Sequence, residues 1–355
     1  MKNRIFVDYG AVAENARKIV SRSGKGLFAV VKNNAYNLGL ADVTRTLLGC
    51  GVSHFAVTLS EDAVFIKERF PEAYVLQLNP ARGEEARAAR EMGIALSLGS
   101  GEWFREYADA LGGVDLHMKI NTGMNRFGFS DIREASAVVR ACSARGLSLT
   151  GLYTHFALAE EADLSEHSAH VDLFAACYEA LSPLRSFRYV HSENSAAVLL
   201  RDRRLSFCNF VRPGILPFGY SSREPVEWLS PSVFVSAEVI DVRPLRRGER
   251  LGYGTGFTAG RDMRVAVLPM GYGDGLMRAR AVLPVYVNGA SCEILGKILM
   301  SHTFIEAPDG VSVGDVAEIY GEHVKIDALA SRGIANNAEQ LAALHIWRYA
   351  QPERL

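Results

Sequence analysis

Between residues 27 and 212 the chain repeats one pattern. A short, almost uninterrupted apolar run is followed by a longer stretch in which Ala, Leu, Glu and Arg recur at helical spacing. The apolar runs fall at 27–32, 54–58, 74–78, 94–98, 115–120, 149–154, 188–192 and 208–212, and 83–92 and 131–145 are two of the helical stretches. A strand that is apolar at nearly every position must be covered on both faces, as in a parallel sheet wrapped by helices. Eight such units are the count of a (β/α)8 barrel. A doubly wound open sheet is the competing arrangement, but no Gly-x-Gly-x-x-Gly turn follows the first strand.

Beyond residue 222 the texture changes. The stretch 233–242 alternates, and 264–269, 285–288, 293–295 and 316–320 are short β-branched runs set apart by Gly or Pro, as in Gly271-Tyr272-Gly273-Asp274-Gly275. Short strands with glycine turns and little helix read as a smaller, mostly β domain. The expected division is therefore a barrel over 1–222 and a β domain over 223–355.

Charge and cysteine content narrow the function classes. Lys plus Arg number 39 and Asp plus Glu 40, a net charge of −1 that leaves no electrostatic footprint for nucleic acid or an anionic membrane. No apolar run approaches the roughly 18 residues needed to span a bilayer, and the first residues lack the apolar stretch of a signal peptide. Cys50, Cys142, Cys177, Cys208 and Cys292 are far apart and form no C-x-x-C pair. They read as free thiols in a reducing cytoplasm rather than as a disulfide framework or a metal site.

Barrel enzymes carry their chemistry at the C-terminal ends of the strands and in the loops that follow. Those positions hold Lys32, Lys119, Arg126, His155, Ser195 and Arg212, then Gly214 and Ile215. Lys32 ends an apolar strand with no acid beside it in sequence. A lysine in an apolar site loses basicity and becomes a candidate Schiff-base amine, although the same position also suits a lysine that snorkels to solvent. Asn194-Ser195 and Gly214-Ile215 follow the seventh and eighth strands, where barrels of this kind commonly hold phosphate. A Schiff-base lysine with a phosphate cradle points to pyridoxal 5′-phosphate (PLP). In the β domain, Tyr253 stands between Gly252 and Gly254, and Met300-Ser301-His302 reads as a strand end.

These residues occur in segments that resemble the alanine racemases, PLP enzymes of fold type III. The matching segments are Ala29-Val30-Val31-Lys32-Asn33-Asn34-Ala35-Tyr36, Lys119-Ile120-Asn121-Thr122-Gly123-Met124-Asn125-Arg126-Phe127-Gly128, Thr154-His155-Phe156-Ala157 and Asn194-Ser195-Ala196-Ala197. Val211-Arg212-Pro213-Gly214-Ile215, Gly252-Tyr253-Gly254 and Gly271-Tyr272-Gly273-Asp274-Gly275 continue them in family order.

The resemblance implies an isomerase that interconverts L- and D-alanine by a two-base mechanism. Lys32 would hold PLP and act on one face, and Tyr253 of a partner subunit would act on the other. Inversion requires two faces, because the proton leaves one side and returns to the other. A homodimer with shared sites follows from that arrangement. The resemblance also places His155 beside the catalytic tyrosine, Arg212 against the pyridine nitrogen, and Arg126 near the phenolic oxygen and substrate carboxylate. Lys119 matches a lysine often carbamylated in the family. Tyr36, Asn194, Ser195, Gly214 and Ile215 would bind cofactor, and Met300 substrate.

Three departures bear on substrate choice. Asn37-Leu38-Gly39 stands where the family has Gly-His-Gly, Ser301 replaces an aspartate, and Trp347 takes the place of a phosphate-contacting tyrosine. A racemase for serine or for a broader set of amino acids therefore stays open. So does a non-catalytic PLP-binding homeostasis protein, although such proteins resemble the barrel alone.

Overall fold

The computed structural model describes residues 3–222, 225–254 and 256–346. Trp347, with the expectation attached to it, lies outside the described residues. The first strand, β1 (Arg4–Val7), has no counterpart among the expected strands. Eight parallel strands follow: β2 (Gly26–Val30), β3 (His54–Val57), β4 (Tyr74–Gln77), β5 (Ile94–Leu98), β6 (Asp115–Lys119), β7 (Ser148–Tyr153), β8 (Tyr189–His191) and β9 (Phe210–Val211). They close in sequence order, with β9 pairing back onto β2. The barrel expected from the periodicity is the barrel observed.

Its interior is filled, as a barrel of this strand number requires. Phe28, Val30, Ala56, Leu76, Ala95 and Tyr189 form one buried cluster, and the Phe28 ring touches His54, Tyr74, His117, Tyr189, His191 and Phe210. The helices between strands start where side chains cap them. Ser100 accepts from Trp103 N, Asp131 from Arg133 N and Asn194 from Ala197 N.

The chain divides into two compact units. One holds Val12–Ala35 and Leu40–Pro217, and the other holds the residues up to Ala11, Tyr36–Gly39 and the chain from Phe218. This differs from a division at 222/223 in three places: the residues up to Ala11, Tyr36–Gly39 and 218–222. β1 has a hydrophobic inner face and satisfies its backbone by pairing, antiparallel, with β10 (Val233–Glu238) of the second unit. Tyr36 also belongs there, with its ring 5.6 Å from that of Phe218.

In the second unit, the stretch 233–242 is two strands rather than one. β10 pairs with β1 and β18 (Val316–Tyr320), whereas β11 (Asp241–Leu245) enters a separate sheet with β14 (Met263–Leu268) and β17 (Thr303–Glu306). A short hairpin is made by β12 (Arg250–Leu251) and β13 (Phe257–Thr258). β15 (Val285–Val287) and β16 (Ala290–Cys292) complete the five-stranded sheet β1-β10-β18-β15-β16. Of the run 293–295 only Ile294 makes a bridge, to Ile305, and Met300-Ser301-His302 precedes β17 instead of ending a strand. All five cysteines are free, and no described helix is long and apolar enough to cross a membrane.

Candidate active site

Nine of the residues singled out in sequence lie at the C-terminal ends of the barrel strands or in the loops after them. Lys32 stands two residues past β2, Lys119 is the last residue of β6, His155 stands two past β7, and Arg212 directly follows β9. Arg126 lies in the loop after β6, Asn194 and Ser195 after β8, and Gly214 and Ile215 after β9.

Lys32 opens an unusual turn. Asn33, Asn34, Ala35, Tyr36 and Asn37 all have φ between 53° and 64°. Left-handed backbone costs an L-residue roughly 1–2 kcal/mol, and asparagine tolerates it better than most. Three of the five are asparagine, which is the sequence signal for this turn. Asn34 Oδ1 accepts from Leu40 N (2.8 Å), and Ala35 N donates to Val31 O (3.0 Å). Strain of this kind collects at functional sites.

The charged groups of the barrel mouth are cations that perturb one another. Burial, then Arg126, lowers the Lys32 pKa. Burial, Arg126 and Arg212 bring that of Lys119 down to about 7. Its ammonium donates to Phe127 O, and the Phe127 ring lies 4.4 Å from Lys119 Nζ and 5.4 Å from the Arg126 guanidinium. His155 is held well below its ordinary pKa by burial and then by Arg212, Arg126, Lys119 and Lys32. No carboxylate figures among the perturbing neighbours of Lys32, Lys119 or His155. A cluster of this composition calls for an anion.

Arg212 is 2% exposed. Its Nη2 donates to Thr154 O (2.7 Å) and His155 Nδ1 (3.1 Å), and its Nη1 to His191 Nδ1 (2.8 Å). Arginine only donates, so both imidazoles must present an unprotonated Nδ1 to it and are Nε2–H tautomers. His155 therefore has an N–H to give to an oxygen outside this set. Arg212 itself keeps its Nε–H and one Nη1 hydrogen for an acceptor that none of the described residues supplies.

Ser195 Oγ accepts from Gly214 N (3.0 Å) and Ile215 N (3.1 Å), which brings two backbone donors and a hydroxyl to one point. Asn194 spends its side chain within the protein, accepting from Ala197 N (3.0 Å) and donating to Phe156 O (2.8 Å). It shapes this loop.

Tyr36, Tyr253 and Met300 are residues of the second unit. Tyr36 is buried there. Tyr253 is 84% exposed, on a turn where Gly252 and Gly254 both take positive φ, and Met300 is 59% exposed. Sequence reasoning missed His191, which orients Arg212, and Tyr153, whose ring stacks on His191 at 4.9 Å and 7°. A histidine inside an apolar barrel strand was the available signal.

Comparison with known proteins identifies the family. A family model described as alanine racemase, N-terminal domain, matches residues 7–222, and one described as alanine racemase, C-terminal domain, matches 233–347. The alanine racemase of Staphylococcus epidermidis is 32% identical over 337 residues, spanning 91% of this chain and 87% of that protein. The crystal structure of alanine racemase from E. faecalis superposes with a TM-score of 0.89 at 27% identity, covering 96% and 95% of the two chains. That of Bartonella henselae, with covalently bound pyridoxal phosphate, gives 0.88 at 24% identity over 99% of each chain. On both domains and over nearly its whole length, the chain belongs to the alanine racemase family.

Proposed function

We propose that this chain is a PLP-dependent alanine racemase that works as a homodimer in the cytoplasm. The observation that carries the reading is the barrel-mouth cluster of Lys32, Lys119, Arg126, His155 and Arg212, in which no carboxylate figures among the perturbing neighbours of Lys32, Lys119 or His155. A phosphorylated, aldehyde-bearing ring fits that donor set: an amine of lowered pKa for the aldehyde, spare Arg212 donors for a ring nitrogen, and convergent N–H groups for phosphate. When bound, PLP supplies the electron sink that makes the α-proton of an amino acid removable.

The chain's own residues do the rest. Lys32, with its ammonium disfavoured by burial and Arg126, takes or returns a proton at its Nζ on one face. Tyr253 of the partner subunit does so at its phenolic oxygen on the other face. His155 donates its Nε2–H to that oxygen and reduces the cost of the phenolate. Arg212 cannot surrender a proton. With PLP bound, Arg212 would hold the ring nitrogen as a donor and so would keep it unprotonated, a chemistry that would favour return of the proton to Cα.

Ser195, Gly214, Ile215 and Tyr36 would hold the phosphate. Arg126 and the partner subunit's Met300 would meet the substrate carboxylate. Lys119 is carbamylated: its neutral Nζ bonds the carbon of CO2 and releases one proton, turning a cation into the anion the cluster lacks.

The test is incubation with L-alanine in deuterated water, reading chirality and α-deuterium together. D-Alanine carrying α-deuterium is the expected product. Retention of L-alanine without exchange would refute the assignment. Ser301 in place of an aspartate favours acceptance of serine beside alanine, so the same assay is run on L-serine.

A further inference from the structure

Five side chains form one unbroken hydrogen-bonded file through the interior of the barrel. It starts at Arg212, just past the C-terminal end of β9, and finishes at Tyr74 and Asp115, the first residues of β4 and β6. Arg212 Nη1 meets His191 Nδ1 (2.8 Å), and His191 Nε2 meets His117 Nδ1 (3.0 Å). His117 Nε2 meets Tyr74 Oη (2.9 Å), and Tyr74 Oη meets Asp115 Oδ2 (3.2 Å). The other carboxylate oxygen accepts from Ser148 Oγ (2.6 Å).

The two ends set the direction of every bond. A guanidinium only donates and a carboxylate only accepts. His191 must therefore accept at Nδ1 and donate at Nε2, His117 must do the same, and the Tyr74 hydroxyl must donate to Asp115. Reversing any one link would set two donors or two acceptors against each other inside a packed core, where an unmatched polar group is costly.

Packing holds the rings in these poses. Tyr153 stacks on His191, and Tyr189 stacks on His117 at 5.3 Å and 19°. The backbone also makes room: a Cβ at Gly151 would fall 2.2 Å from His117 Cγ, so only glycine fits beside this ring. Both histidines are buried with no acid of their own, and burial keeps them neutral at ordinary pH.

We propose that Tyr74, His117 and Asp115 are positioning residues for the racemisation. Through the tautomers they impose on His117 and His191, they hold the Arg212 guanidinium so that its remaining N–H groups face the cofactor ring. The proposal rests on the functional reading above. The three stand beyond His191 from Arg212 in the file, so their effect passes through Arg212.

The test uses full-length holoenzyme labelled with 15N in its histidine rings, with two-bond 1H–15N correlations reporting which nitrogen carries the proton. Parallel assays give kcat and KM for alanine. In the parent, His117 and His191 are both expected as Nε2–H tautomers. Tyr74→Phe removes one oxygen, and it should release the His117 tautomer and lower kcat about tenfold while KM stays within about twofold. His117→Leu should lose about a hundredfold, and His117→Asn, whose Oδ1 can stand in for Nδ1, should recover most of it.

An Nδ1–H tautomer at either histidine in the parent would overturn the file without any variant. So would a Tyr74→Phe protein whose kcat matches the parent. A parent that does not racemise alanine at all would instead remove the functional reading, and with it the role of these residues, while the tautomers still report the file.

Discussion

Lys119 is the residue at which charge, stability and modification meet. Its side chain is 1% exposed, and burial with Arg126 and Arg212 lowers its pKa to about 7 from an ordinary 10.5. At about 1.4 kcal/mol per pH unit, keeping the free amine inside the native protein costs up to ~5 kcal/mol. Between pH 7 and 10.5 the unfolded chain binds a proton here that the native state does not, so stability rises with pH across that window. Below pH 7 both states are protonated and the full penalty applies.

Lys119→Met keeps the volume and removes the charge, at the loss of one hydrogen bond to Phe127 O worth about 1 kcal/mol. In CO2-free buffer at pH 7 the variant should therefore be about 2–4 kcal/mol more stable than the parent, and the gap should close toward pH 10. Bicarbonate should reverse this. Carbamylation would put an anion where Arg126 and Arg212 now disfavour a cation, so the parent's urea midpoint should rise and the variant's should not. Labelled bicarbonate should add one carbonyl-carbon NMR resonance, present in the parent and absent from the variant. A parent more stable than Lys119→Met in CO2-free buffer at pH 7 would refute the electrostatic argument. Equal responses of the two proteins to bicarbonate would refute the carbamate.

Tyr253→Phe deletes only the hydroxyl proposed as the second base, so exchange of the L-side α-proton should fall roughly 10²–10⁴-fold; near-parental exchange would count against the two-base assignment. Mixing inactive Lys32→Ala with inactive Tyr253→Phe should restore about one working site per mixed dimer, and no recovery after verified subunit exchange would exclude a shared site. Asn34→Ala loses both the left-handed tolerance of asparagine and the bond to Leu40 N, and should destabilise by about 1–3 kcal/mol in urea titration, with Asn34→Gly milder. Ser301→Asp should shift the ratio of kcat/KM for L-alanine over L-serine toward alanine by a few-fold to about a hundredfold, and an unchanged ratio would free Ser301 of any part in selectivity.

The barrel was legible from sequence because its cause is local. A strand covered on both faces has to be apolar along its length, and every run between 27 and 212 reappears as a barrel strand within a few residues at each end. The positions of Lys32, Lys119, His155 and Arg212 followed from the same register, since a strand end is defined by where its apolar run stops. β1 was not legible: four residues carry too little periodicity, and their partner, β10, lies more than two hundred residues away in the chain. The break of 233–242 into two strands in different sheets depends likewise on distant partners.

Inside the barrel, His117 and His191 read as isolated polar residues within apolar runs, and nothing local says what they face. Only closure of the sheet brings β4, β6, β8 and β9 around one axis and lines up Arg212, His191, His117, Tyr74 and Asp115. Residue types could be read from the chain because apolar periodicity and strand ends are properties of neighbours in sequence. Which nitrogen carries a proton, and which cation lowers the pKa of Lys119, are set by neighbours in space, and those exist only once the chain has folded.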